Sequence, residues 1–424
     1  MNLPASFNKW DIFYYISLLL LLITWSDVDN LPPLYMRFGY MFAVLVPLWS
    51  KREPLTPVIL LTFVVISAAS FAVSYMPVDG LYLLLTVLLS VMIVGSNKIN
   101  SLEMPFGFIL LTFLSFVIDL FFSDGVTVSF NWLAIILICK FFLKKNDQAQ
   151  LGFVLFSFSI ISLLLSLEFI VVGDRFISDV HTLLGDLDRK GWTDPNYFGS
   201  VVGIGVVTAL ISLITEKQLK RTAKIYYLFV IAISLYTITA TASRGAVTAL
   251  SASLVVILFL APLNKKQKIY LIILTLLGVF VLYEFHFLDL LILRFMSDAG
   301  DLGGRTTIWI PRLQAFLDSS SPLEILFGLG KTKSMVLGTD GMLGFHNDYL
   351  AILVRYGFVG FACLLSLIFW PLFKARKKGL ILAVVLYFML IMFSIEPFTG
   401  GQWGCLYFYV LIIMLSQVDY ERNI

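Results

Sequence analysis

The sequence predicts an all-α polytopic membrane protein: a bundle of about 12–14 transmembrane helices with one large extracytoplasmic loop. Three observations carry that prediction. Hydrophobic residues make up 59% of the 424 and charged residues only 13%, with a mean hydropathy of +0.92, whereas soluble domains run near a quarter charged. The apolar text comes in continuous runs of roughly 16–22 residues, and a transmembrane β-barrel would show weak alternating segments of about ten. Finally, the turns between runs alternate in charge along the chain.

In chain order, spans are expected near 12–26, 35–49, 55–75, 80–95, 105–122, 128–143, 151–172, 197–214, 225–242, 246–262, 269–287, 349–372, 379–394 and 403–417. The first, within "MNLPASFNKWDIFYYISLLLLLITW", has no small-residue cleavage site behind it and reads as a retained span. Lys51 and Arg52, Lys98, Lys144 and Lys145, Lys217 through Lys224, Lys265 through Lys268, and Lys374 through Lys378 fall in alternate turns. The opposite short turns carry Asp27, Asp29, Asp79, Asp124 and Glu396. Cationic loops stay in the cytoplasm, so both termini are placed there.

Two connections break the pattern of short turns, and both fall on the outer side. They are the smaller loop 173–196 and a segment of mixed polarity over 288–348. Connections this long in compact proteins are usually functional. No solenoid-period repeat or low-complexity tract appears, so residues 1–424 read as one integral membrane domain. Cys139, Cys363 and Cys405 all fall in apolar runs and read as small buried hydrophobes, without disulfide or metal duty.

The residues able to do chemistry gather on the outer side. In "TATASRGAVTAL", Arg244 sits in a turn of small residues that lets two helices meet closely; the plain alternative is an arginine snorkelling at a helix end. In "DLGGRTTIWIPRLQAF", Arg305 and Arg312 are seven residues apart and, if helical, share one side. Ile308, Trp309 and Phe316 would then form an apolar face, as in a helix lying on the membrane surface, with headgroup anchoring as the alternative role. Pro311 predicts that this helix is kinked or begins there. Gly328, Gly330, Gly338, Gly341 and Gly344 form a flexible approach to the next span, with none of the ordered spacing of a nucleotide-binding loop. His346 lands at that span's start, followed by Asn347 and Asp348, with Arg355 further in. A helix N-terminus disfavours the imidazolium, and a neutral imidazole beside a wet site is a usable general base; otherwise the ring merely bonds a neighbour at the interface. Guanidinium groups match phosphate oxygens in a two-pronged way and keep their charge at any relevant pH. No metal-ligand spacing and no Ser–His–Asp pattern accompany them. The chemistry suggested is metal-free transfer from a phosphate leaving group to a hydroxyl.

The motifs "DPNYFG", "TASRGA", "GRTTIW", "LFGLG" and "HNDYLAILVRYGFVG", in that order between Trp192 and Trp370, resemble the bacterial O-antigen ligase and polymerase superfamily. The resemblance implies a fold of the lipid-sugar glycosyltransferase type in the bacterial inner membrane, with a periplasmic active site. It implies an undecaprenyl-diphosphate-linked oligosaccharide as donor, membrane lipid around it and a chain-length regulator as protein partner. Cofactor, metal and nucleic acid are not expected. Arg244 and Arg305 would bind the diphosphate and His346 would activate the acceptor hydroxyl. Asn196, Arg312, Asn347 and Arg355 are secondary pocket candidates. "GRTTIW" followed by "LFGLG" and "HNDYL" looks more like the polymerases than the ligases. A polysaccharide transporter is the non-enzyme alternative, opposed by the few charges inside the spans, where Arg355 and Glu168 stand out.

Overall fold

A computed structural model describes residues 102–122, 127–172, 195–215, 219–261, 263–297, 305–338, 344–375, 378–399 and 403–418. The four spans expected before residue 100, most of the 173–196 loop, and the side chains of Glu168 and Cys405 lie outside the described residues.

The described residues are helices and their connections, with no strand among them. The order is α1 (Phe106–Phe122), α2 (Thr127–Leu137, running on as a π-helical turn Ile138–Phe142), α3 (Gln148–Val172) and α4 (Pro195–Thr215). Next come α5 (Arg221–Ala240), α6 (Arg244–Leu260), α7 (Lys265–Glu284), and four short helices, α8 (Asp289–Ser297), α9 (Thr306–Ser319), α10 (Pro322–Phe327) and α11 (Gly330–Val336). The chain ends with α12 (Asp348–Lys374), α13 (Lys378–Ser394) and α14 (Trp403–Gln417). Every span placed from residue 105 onward thus coincides with a helix. Among the described residues α3, α4, α5, α7 and α12 are long and apolar enough to cross a membrane. With α1, α6 and α13, which stand at the short end of spanning length, they make the chain an all-α polytopic membrane protein.

Packing follows from small residues that let backbones approach. The helices α6 and α13, α3 and α4, α4 and α5, and α1 and α12 are the main packed pairs. A Cβ on Gly199 would meet the Ser243 side chain at 2.6 Å, and one on Gly245 would meet Ser394 Oγ at 2.4 Å. These positions admit only glycine, and they pull the starts of α4 and α6 against the end of α13.

The bundle has two chemically distinct ends. At one, the Glu103 carboxylate meets Lys145 at 2.9 Å and Lys374 at 2.6 Å, and Gln417 bonds the Glu103 backbone in both directions. A shallow cleft there is lined by Glu103, Lys145, Asn146, Lys374 and Gln417. This is the end that the sequence assigns to the basic turns. The other end holds the 288–348 connection, which is largely helical across α8 to α11.

The "LFGLG" stretch is a joint where the sequence suggested a flexible approach. Inside α12 the backbone leaves helical geometry at Gly357 (φ 66°, ψ −169°), a region open essentially to glycine alone. The break exposes the Val354 carbonyl, which accepts the Leu329 N–H at 3.0 Å. Gly328 (φ 92°) lies so close that a Cβ would sit 2.2 Å from the Arg355 carbonyl oxygen; one on Gly357 would sit 2.3 Å from that of Leu326. Two glycines facing each other therefore lock the α10–α11 connection into the break in α12. Arg355 occupies the turn just ahead of that break.

Candidate functional site

The site is best built outward from the strap Gly344–Asp348, because each of its residues is held. Gly344 lies against Glu396, where a Cβ would meet Oε1 at 3.1 Å. The Phe345 carbonyl accepts the Trp309 indole N–H at 2.7 Å. Two guanidinium groups lie over the Phe345 ring, Arg312 at 4.4 Å and Arg355 at 5.8 Å from its centroid. His346 donates its backbone N–H to Glu396 Oε1 at 2.6 Å. Asn347 is the N-cap of α12, its side-chain oxygen accepting the Leu350 N–H at 3.1 Å. Asp348, fully buried, accepts the Phe398 N–H at 2.6 Å, the Thr399 N–H at 3.0 Å and the Thr399 hydroxyl at 2.7 Å.

Beneath the strap lies a buried ionic pair. Arg355 and Glu396 are each 2% exposed and meet at 3.2 Å. The second terminal nitrogen of Arg355 donates to the Thr399 carbonyl at 2.8 Å, and the Thr399 hydroxyl oxygen, whose one proton has Asp348 as its nearer acceptor, stands 3.1 Å from Glu396 Oε2. Removing one partner of such a pair leaves an uncompensated charge, typically a loss of about 3–5 kcal/mol. Arg312 adds a second buried guanidinium, 1% exposed and donating to the Met335 carbonyl at 3.0 Å. Burial lowers its pKa from the ordinary value, and the Glu396 charge opposes that shift.

His346 is half-buried and in the left-handed region, φ 51°, which residues with a Cβ enter at a cost. Among the described residues its imidazole makes no hydrogen bond or ion pair, while its backbone N–H is held by Glu396. A second non-glycine residue with positive φ, Ala242 (φ 50°), stands two positions before Arg244. Ser243 caps α6 through its side chain, and Arg244 is the first residue of that helix, half-buried.

The candidate residues read from the sequence come to one end of the bundle. Arg244 adjoins Gly245, which touches Ser394, two residues before Glu396. Asn196 stands one turn before Gly199, which touches Ser243, and the Asn196 carbonyl accepts the Ser200 hydroxyl at 2.6 Å. Arg305 immediately precedes α9, one turn before the Trp309 that holds Phe345. The helix begins at Thr306 and contains Pro311, so the proline does not start it. Arg312 departs from the expected surface face: it points inward with Phe316, its i+4 neighbour, and both are buried. The terminal nitrogens of Arg355 are committed to Glu396 and Thr399, and Asn347 is committed to its cap.

Several residues of the site escaped the sequence reading. Glu396 stands in the short turn after α13, where the sequence places it, but it is buried there and anchors both His346 and Arg355, a role its turn position does not reveal. Asp348 and Thr399 were passed over, as was Asp119, a buried carboxylate in α1 that accepts the Tyr356 hydroxyl at 3.3 Å. No group of three or more His, Cys, Asp or Glu able to hold a metal occurs among the described residues.

Fold and site together define a polytopic helical membrane protein with a clamped histidine and several arginines at the end that carries its long connection. Residues 229–365 match the family described as O-antigen ligase. The matched segment contains Arg244, Arg305 and His346, and it is consistent with the O-antigen polymerase and ligase superfamily whose motifs the sequence resembles. Among curated proteins, none matches the chain.

Proposed function

We propose that the protein is an O-antigen polymerase, joining undecaprenyl-diphosphate-linked repeat units on the periplasmic face of the inner membrane. The observation that carries this reading is the convergence of Arg244, Arg305 and His346 on one end of the bundle, within the segment that matches the family. His346 accepts the proton of an acceptor sugar hydroxyl. That oxygen forms a bond to the anomeric carbon of the donor glycan, and the bond from that carbon to the diphosphate oxygen breaks. Arg244 and Arg305 hold the charge that develops on the departing lipid diphosphate. Asn196 and Arg312 support the pocket, and the step uses no metal. A chain-length regulator is the expected protein partner. The basic end of the bundle faces the cytoplasm, so the strap opens to the periplasm at headgroup depth, where a lipid-borne diphosphate lies.

A second reading within the same superfamily is a ligase that moves the same glycan from the same donor to lipid A core. A deletion strain separates the two. Loss of a polymerase leaves lipid A core carrying a single repeat, because the ligase still works, and this is the pattern we expect. Core with no repeat, and long glycan stranded on its carrier, would establish the ligase instead. A transporter is disfavoured because Asp348, Arg355 and Glu396 are buried and bonded to protein.

A further inference from the structure

Glu396 raises a question that the transfer chemistry does not answer. A carboxylate taken out of water is costly unless it is paired and its remaining lone pairs are satisfied. Arg355 satisfies one oxygen, Oε2. The other, Oε1, accepts a main-chain N–H, that of His346, at 2.6 Å. The same oxygen lies against Gly344, where any larger residue would crowd it.

We infer that Glu396 is the positioning residue for His346: it fixes the backbone from which the imidazole reaches the acceptor hydroxyl. This rests on the reading of His346 as the base. Three features of the geometry converge on it. His346 sits at φ 51°, a conformation that persists only where the surroundings over-determine it. The Glu396 hydrogen bond is the contact made by His346 itself, whereas Trp309, Asn347 and Asp348 secure its neighbours. Arg355 is held in turn by the turn of α12 just before the Gly357 break, so the chain of support runs from the α10–α12 joint through Arg355 and Glu396 to residue 346. With the backbone so clamped, only the two side-chain torsions of the histidine remain free. A displacement of about 1 Å at a reacting group can cost about 10²-fold in rate.

The test uses the full chain, purified and reconstituted with undecaprenyl-diphosphate-linked glycan, and measures kcat and KM for the donor. Assays run well below the melting temperature of each variant, which is measured in parallel. Glu396→Ala removes both oxygens and is expected to lower kcat about 10²-fold with the donor KM unchanged within about twofold. Glu396→Gln keeps the volume and one acceptor oxygen; with that oxygen taken by the charged Arg355, its amide nitrogen faces the His346 N–H, donor against donor. It is expected to lower kcat about tenfold, again at constant KM, and it decides the matter if the alanine variant does not accumulate. Wild-type kcat in Glu396→Gln, or a raised KM at unchanged kcat, would overturn the inference while leaving His346 as the base. His346→Ala is measured beside them. If that variant transfers glycan at the wild-type rate, the assignment of the base fails first and the role of Glu396 fails with it.

Discussion

Replacing Gly357 by alanine tests the joint that supports the site, and its cost can be worked from geometry. The residue has φ 66° and ψ −169°, and holding a non-glycine there costs about 1–3 kcal/mol. The new Cβ would lie 2.3 Å from the Leu326 carbonyl oxygen and 2.4 Å from its carbon. Both are backbone atoms, fixed by the Gly328 contact and the bond from the Leu329 N–H to the Val354 carbonyl. Relieving that overlap adds about 1–3 kcal/mol, as in other overpacked sites, for a total of about 2–6 kcal/mol. Gly278→Ala is the matched control. Gly278 is inside α7 with nothing within 4 Å of its would-be Cβ, and alanine there gains up to about 1 kcal/mol in helix propensity. Thermal unfolding of the two variants in detergent should show Gly357→Ala melting well below wild type and Gly278→Ala at or above it. Equal melting temperatures for the two would refute the locked joint.

Other outcomes follow from the same structure. Arg244→Ala and Arg305→Ala should each abolish transfer with the protein still inserted and abundant, and the lysine variants should rescue poorly, because a point charge lacks the two-pronged contact; full activity of both lysine variants would mean generic surface charge. A reporter fused after Lys266 should read as cytoplasmic and one near Ser320 as extracytoplasmic; a cytoplasmic Ser320 would place the whole site in the wrong compartment. At the opposite end, hydrogen bonds from Lys145 and then Lys374 hold the Glu103 carboxyl at about 2, below its ordinary 4.5. A depressed carboxyl stabilises the fold above its unfolded pKa, so the benefit is present above pH 4.5 and lost as pH falls toward about 2. Glu103→Gln should therefore melt slightly below wild type at neutral pH, by about 0–1 kcal/mol for so exposed a cluster, and the difference should vanish near pH 2. A difference that persists there would assign it to packing.

The helices were legible because membrane spans announce themselves in continuous apolar runs, and α14 begins and ends where the sequence placed it. Arg244, Arg305 and His346 were legible because each stands out among small or apolar neighbours. The pairing of Arg355 with Glu396 was not, since 41 positions separate them and only the tertiary fold brings the turn after α13 under the strap. Arg312 was misplaced for a related reason: helical spacing says which residues share a side, but not which side the bundle will cover. The break at Gly357 left no mark either, because "RYGFVG" reads as an ordinary membrane helix, where glycine is common. What betrays it is the Gly328 surface against which it packs, far upstream in the chain.

The central claim is that His346 serves transfer of a lipid-linked glycan, and one reaction in proteoliposomes tests it most directly. The purified protein is supplied with undecaprenyl-diphosphate-linked repeat units, and chain length on the carrier is followed with time. Wild type should lengthen the glycan and release lipid diphosphate, while His346→Ala should be slower by about 10²–10⁴-fold, the usual contribution of a general base, with donor binding retained. Movement of the glycan across the bilayer without lengthening, or full activity of His346→Ala, would contradict the account.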